Sequence, residues 1–269
     1  MLPTITKIAS GKSYRISNEF SRLKEFTLGV HEKFDLGGEI LRGNRNVVKK
    51  IITPDGEFVI KSFKGMYFLN RLAYSLFRKS KAERSYRYSA RLNDNGILTP
   101  PHVAWIDCYT WGFLTHSYFV SVYCPYKTLH QFLETSEESD KKSLYRQLAA
   151  FTLKMHRLGI YHDDFSVGNI LVHAEGDDFK FSLVDLNRVK FQKINYKKGL
   201  QNFKTLKIPP QDMNILLREY AIQSDRSPQH SINTFWIHQK RSSLLRAFRK
   251  RIRYYTVTPL ERMLAGKYF

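Results

Sequence analysis

The chain has 269 residues, 42% of them apolar and 14% aromatic, enough for one sizeable core or two lobes sharing a cleft. Forty-four Lys and Arg oppose 24 Asp and Glu, a formal charge of +20 that attracts polyanions and says nothing about fold. Cys108 and Cys124 are the only cysteines and lack metal-ligand spacing, no leader-like apolar run follows the first charges, and no stretch nears the roughly 20 apolar residues of a spanning helix, so a reduced, cytoplasmic protein is expected.

Residues 1–36 read as an N-terminal extension, with Asn18 capping a short helix whose Phe20, Leu23 and Phe26 or Thr27 share a face. Strands are expected at Glu39–Leu41, Val47–Ile52 and Phe58–Ser62, the last two joined by the turn Pro54-Asp55-Gly56. Helices follow at Tyr67–Phe77 and Lys81–Asn93. After the break at Pro100-Pro101, strands are expected at Val103–Ile106 and Tyr118–Tyr123. From Pro125 the texture turns helical. Leu144, Leu148, Phe151, Met155 and Leu158 recur at helical spacing, and Gly159 fits the position just past the helix end. Short strands then return at Ile160–His162, Asn169–His173 and Phe179–Val184, and the chain from about Leu200 is mainly helical. A strand-rich stretch over 37–124 and a helix-rich stretch over 125–269 make an α+β protein of two lobes the expected architecture.

The chemistry concentrates in Tyr161–Val172, Y-H-D-D-F-S-V-G-N-I-L-V. His162, Asp164 and Asn169 stand at the H-x-D-x-x-x-x-N spacing of a kinase catalytic loop. A carboxylate there orients an attacking hydroxyl and accepts its proton. A neutral amide oxygen five residues on ligates Mg²⁺ without competing for that proton. The spacing to Asn169 selects Asp164 over its neighbour Asp163, although a polar turn between two strands would carry similar residues. Phe181–Arg188, F-S-L-V-D-L-N-R, delivers Asp185 at the end of an apolar strand, where kinases place the aspartate that holds Mg²⁺ against ATP. An aspartate capping a strand end is the alternative. In Phe58-Val59-Ile60-Lys61 a lysine ends an apolar strand, as does the kinase lysine that meets the α- and β-phosphates; an edge lysine facing water reads the same way. Glu83, on the following charged helix, is the candidate partner of Lys61 or else part of a solvated face. Arg42-Gly43-Asn44-Arg45-Asn46 lies between two strands, and Gly43, Arg45 and Asn46 are candidates to meet phosphate oxygens, with an ordinary hairpin turn as the alternative. Turn, lysine, glutamate, catalytic loop and metal aspartate fall in the order a kinase-like fold requires.

These motifs resemble the lipopolysaccharide kinase family, whose members phosphorylate Kdo or heptose sugars of the lipid A–core, and in particular the versions found in Bacteroides-type bacteria. The resemblance spans roughly residues 37–205 and is carried by G-N-R-N at Gly43–Asn46, V-I-K at Val59–Lys61, F-R-K-S-K-A-E-R-S-Y at Phe77–Tyr86, C-P-Y at Cys124–Tyr126, and above all H-D-D-F-S-V-G-N-I-L at His162–Leu171 and F-S-L-V-D-L-N-R. It implies a protein-kinase-like fold, ATP, Mg²⁺, a cytosolic location and a lipid acceptor at the inner membrane. Asp163 stands where many kinases carry an arginine that pairs with a phosphorylated activation loop, and no A-P-E motif follows Asp185. Both departures favour a constitutively competent sugar kinase over a regulated protein kinase. An atypical protein or small-molecule kinase, RIO-like or antibiotic-kinase-like, and a nonenzymatic kinase-like scaffold for anionic lipid or nucleic acid are the rival readings.

Arg226 to Leu260 contains eight Lys or Arg and no Asp or Glu. Leu244, Leu245, Phe248, Ile252 and Tyr255 share a helical face there, while Arg246, Arg249, Lys250 and Arg253 lie largely elsewhere. Such a helix meets an anionic membrane surface, or docks its apolar stripe on the rest of the chain. No RNA-recognition signature accompanies the charge, so nucleic acid is not the expected partner. The oligomeric state is not legible.

Overall fold

A computed structural model describes residues 7–9, 11–43, 46–63 and 79–265, the side chains of 7–9, 138, 139, 250 and 253–265 excepted. The expected helix Tyr67–Phe77 and the candidate Arg45 lie outside the described residues. The chain forms two compact units, one of Met1–Ser136 with His162–Phe191, the other of Glu137–Tyr161 with Gln192–Phe269.

The first unit is built on a seven-stranded antiparallel sheet. Its strands are β1 (Lys7–Ala9), β2 (Lys12–Ile16), β3 (Glu39–Arg42), β4 (Val47–Thr53), β5 (Gly56–Ser62), β6 (His102–Thr110) and β7 (Phe113–Val122), in the spatial order β1-β2-β6-β7-β5-β4-β3. β4 and β5 form the expected hairpin: Thr53 lies opposite Gly56, whose φ of 130° belongs to glycine. β6 and β7 run longer than their hydrophobic cores, because Trp111 and Gly112, at φ 53° and 75°, turn the chain in two residues. The segment before residue 37 contributes β2, which pairs with β6 from Lys12↔Cys108 to Ile16↔Ala104. It also supplies helices α1 (Lys24–Leu28) and α2 (Val30–Leu36). Ser17 rather than Asn18 takes the cap position of the preceding helical turn, without a side-chain capping bond. Val30, Phe34 and Leu23 from this segment pack with Ile60, Ile106, Tyr118 and Val120 of the sheet, all essentially inaccessible to solvent. Helix α3 (Lys81–Asp94) starts at Ser80, whose hydroxyl accepts the Glu83 N–H.

Within the same unit, β8 (Lys127–Thr128), β10 (Ile170–Glu175) and β11 (Asp178–Leu183) make a three-stranded antiparallel sheet in the order β11-β10-β8; in the chain, β9 (Ile160–His162) falls between β8 and β10. β10 and β11 pair from Ile170↔Leu183 to Glu175↔Asp178, so the catalytic-loop segment and the Asp185 segment are two arms of one hairpin. Helix α4 (Leu129–Thr135) opens on a Thr128–Gln131 capping box.

The second unit is helical: α5 (Glu138–Arg157), α6 (Tyr196–Asn202), α7 (Pro210–Ile222) and α8 (Pro228–Ala265). Gly159 follows α5 at φ 70°, and a Cβ there would sit 2.9 Å from the Gln192 carbonyl oxygen, so glycine is required. Leu144, Leu148 and Met155 of α5 and Leu216 and Leu217 of α7 supply the buried apolar positions. Among the buried polar groups of this core, His156 bonds Tyr220 Oη at 2.8 Å and Asn202 Oδ1 at 3.0 Å; burial pushes its pKa down to about 4. α8 is anchored early by buried Phe235 and by Trp236, whose indole N–H donates to Asn214 Oδ1 at 2.8 Å. Farther on, Leu244, Leu245, Phe248 and Ile252 are 46–61% exposed.

Candidate active site

Every described residue of the site belongs to the first unit. Lys61 stands one residue before the end of β5, and alternation along the strand buries Phe58 and Ile60 on one face and turns Lys61 to the other. The hairpin β10–β11 fixes the opposite wall. Val184 N–H donates to the Asn169 carbonyl at 3.0 Å, tying the arm that carries Asp185 to the end of the catalytic loop.

Lys61 Nζ lies 2.5 Å from Asp185 Oδ1, with the two side chains only 13% and 15% exposed. Burial pushes the Lys61 pKa below its ordinary value, Asp185 opposes that shift, and Arg42 and Arg188 add to it. Asp185 holds a left-handed backbone conformation, φ 58° and ψ 48°, and also accepts a hydrogen bond from the Asn187 amide. Asn169 is 1% exposed; its Nδ2 donates to the Asp164 carbonyl at 2.9 Å, which fixes the amide's orientation and leaves Oδ1 to accept. Arg42 Nη1 donates to that Oδ1 at 3.3 Å. Asp185 and Asn169 thus offer one carboxylate and one amide oxygen, hard donors suited to Mg²⁺ when phosphate oxygens and water complete the set. Among the described residues no cluster of three His, Cys, Asp or Glu could hold a metal.

The contacts of His162, grouped with the catalytic residues from the sequence, are to backbone groups. It is fully buried. Its Nδ1 accepts the Asp164 N–H at 3.1 Å, so Nε2 carries the proton and donates to the Val184 carbonyl at 3.2 Å. Burial pushes its pKa down, in keeping with a neutral ring. His162 therefore ties the Asp164 backbone to the Val184 carbonyl. Asp164 is half-exposed, with Arg188 Nε 3.9 Å from its Oδ2, whereas Asp163 is engaged by Lys190 Nζ at 2.5 Å.

Two adjoining cavities expose these groups. The first, about 330 Å³, is lined by Leu41, Val59, Phe119, Val122, Cys124 and Leu171 at its apolar end and reaches Lys61, Asn169 and Asp185. The second, about 310 Å³, holds Asp164 with Arg42, Lys61, Lys81, Asp185 and Arg188. An apolar slot leading to paired cation, carboxylate and amide suits a flat base with a phosphate tail.

Lys61, Asp164, Asn169 and Asp185 are thus brought together. Glu83 is not: it takes Arg87 of its own helix at 2.7 Å, one turn on, while Lys61 takes Asp185. Gly43 adopts no left-handed conformation and stands at the end of β3. Asn46 lines the second cavity, and its buried Oδ1 has no hydrogen-bond partner among the described residues. Arg42 and Arg188 were not singled out from sequence, although both stand inside motifs that were.

The profile of the Lipopolysaccharide kinase (Kdo/WaaP) family matches residues 59–221. Among solved structures the chain is similar to one described as WaaP in complex with acyl carrier protein, with a TM-score of 0.60 and 19% identity over 86% of this chain and 98% of that one. No curated protein matches.

Proposed function

The chain belongs to the lipopolysaccharide kinase (Kdo/WaaP) family and is a kinase of α+β, protein-kinase-like fold, and we propose that it moves the γ-phosphate of ATP to a sugar hydroxyl, on Kdo or heptose, of the lipopolysaccharide inner core. The observation that carries this reading is the convergence of Lys61, Asp185, Asn169 and Asp164 on two adjoining cavities, one of them apolar. The adenine fills the apolar end. Lys61 would exchange Asp185 for the α- and β-phosphates, and Asp185 and Asn169 would hold Mg²⁺, whose charge would offset that of the phosphates. Asp164 orients the acceptor hydroxyl and accepts its proton as the oxygen attacks the γ-phosphorus. The bond from that phosphorus to the β–γ bridging oxygen breaks, and ADP leaves. His162 keeps the loop in register throughout.

The acceptor in this reading is an anionic glycolipid, the lipid A–core, met at the cytoplasmic face of the inner membrane. The exposed Leu244, Leu245, Phe248 and Ile252 share α8 with the exposed Arg246 and Arg249, an arrangement suited to an anionic leaflet. No helix among the described residues is long and apolar enough to cross a membrane.

The test is transfer of labelled γ-phosphate from ATP to purified lipid A–core, located on the sugar by mass spectrometry. Asp164→Asn should lower turnover by about 10²–10⁴-fold with nucleotide affinity retained, and Asp163→Asn should be much milder. A wild-type protein that places no label on the core sugars, or mutants with reversed severities, would overturn the assignment.

A further inference from the structure

The two cavities of the site overlap and then part. Arg42, Val48, Lys61 and Asp185 line both. The apolar strip belongs to the first alone, and Asp164, Lys81, Asn187 and Arg188 belong to the second alone. If the nucleotide enters through the first, the shared residues mark the place of the γ-phosphate. The second cavity is then the side from which an acceptor reaches Asp164.

The charge on that side exceeds what proton removal requires. A carboxylate that takes a proton from a hydroxyl gains nothing from an adjacent cation, which lowers its basicity. Yet Arg188 Nε stands 3.9 Å from Asp164 Oδ2, close enough to attract and too far to hydrogen-bond, with a side chain 56% exposed. The next cation along, Lys190, is already engaged by Asp163. Lys81 adds a further positive charge to the same cavity. A guanidinium presents five donors in a planar fork that matches carboxylate or phosphate oxygens two at a time.

We propose that Arg188 determines acceptor specificity by binding an oxyanion, carboxylate or phosphate, that the acceptor carries close to the hydroxyl facing Asp164. Seating that group draws the guanidinium off Asp164. The inference rests on the phosphotransferase reading above and narrows its substrate to sugars with a neighbouring negative charge. The competing role for Arg188, a clamp on the transferring γ-phosphate, acts on kcat and is blind to the acceptor's charge.

The experiment compares three forms of purified lipid A–core as acceptor: intact, dephosphorylated with hydrogen fluoride, and methyl-esterified at its carboxylates. The wild type should prefer the intact form over one neutralised form by about 10- to 100-fold in kcat/KM, the scale of a charge-assisted bidentate pair. The form that loses identifies phosphate or carboxylate as the ligand. Arg188→Gln should collapse the preference toward unity, mainly through the acceptor KM, and Arg188→Lys should retain part of it. Equal use of all three forms by the wild type overturns this inference alone, as does Arg188→Gln lowering kcat with the preference intact. Transfer to none of the three overturns the phosphotransferase reading and this inference with it.

Discussion

Replacing Lys61 by Met removes a cation whose partner stays behind. Asp185 is only 15% exposed, and its carboxylate would be left largely desolvated with the Asn187 amide as its remaining side-chain partner. Truncating one member of a buried pair costs about 3–5 kcal/mol, and the partial exposure here favours the lower figure. A loss of roughly 3 kcal/mol lowers the melting temperature of a chain this size by about 6–12 °C. Removing the charge from both sides, in Lys61→Met with Asp185→Asn, leaves no orphan ion and should recover most of that stability. Phosphotransfer should stay near zero in both single variants and in the double, because the nucleotide's phosphates need both charges. Urea and thermal melts of the four proteins give the coupling energy directly. Additive single-mutant effects, or a Lys61→Met variant as stable as the wild type, would refute the buried-pair reasoning.

Asp107, 2% exposed and accepting the Ser117 hydroxyl at 2.6 Å, has its pKa pushed up by burial to about 7. The folded state then holds a proton that the unfolded state releases near pH 4, so stability falls as pH rises between about 4 and 7 and levels off above. Asp107→Asn keeps the acceptor and removes the charge; it should flatten that slope and, over roughly three pH units, stabilise the protein at pH 8 by on the order of 2–4 kcal/mol, read by melts across pH. A slope unchanged in the variant would assign it to another group. On α8, the protein should sediment with vesicles containing anionic lipid and not with neutral ones, and release as salt shortens the Debye length from about 10 Å toward 3 Å. Arg246→Glu with Arg249→Glu should abolish sedimentation, and equal sedimentation with neutral vesicles would remove the surface-binding reading.

What the sequence made legible was short-range. The H-x-D-x-x-x-x-N spacing and the hairpin that follows lie within about 25 residues, and local spacing alone places Asp164, Asn169 and Asp185 on facing arms. The strand carrying Lys61 was legible from alternation. What failed were pairings over distance. β2 carries only Tyr14 and Ile16 as apolar residues, too few to announce a strand that forms against β6, some 90 positions on. Glu83 was assigned to Lys61 by position along the chain, but the i,i+4 geometry of its own helix gives it Arg87 first. Arg42 meets Asn169 across 127 positions, a relation no local pattern encodes. Arg188 has a local signal, a cation three residues beyond Asp185, to which the protein-kinase pattern assigns nothing.

The left-handed backbone at Asp185 decides which genetic experiments on this site can be interpreted. At φ 58° an alanine adds backbone strain on the order of 1 kcal/mol, so Asp185→Ala confounds lost chemistry with lost folding. Asparagine tolerates the conformation and isolates the charge, while glycine relaxes the backbone and isolates the side chain as a whole. Measured together, the Asn and Gly variants separate what the oxygens do from what the chain endures to hold them there. A backbone free of any other demand would favour glycine at this position, so aspartate sits there at a standing conformational disadvantage, and the reason for it lies in its oxygen atoms.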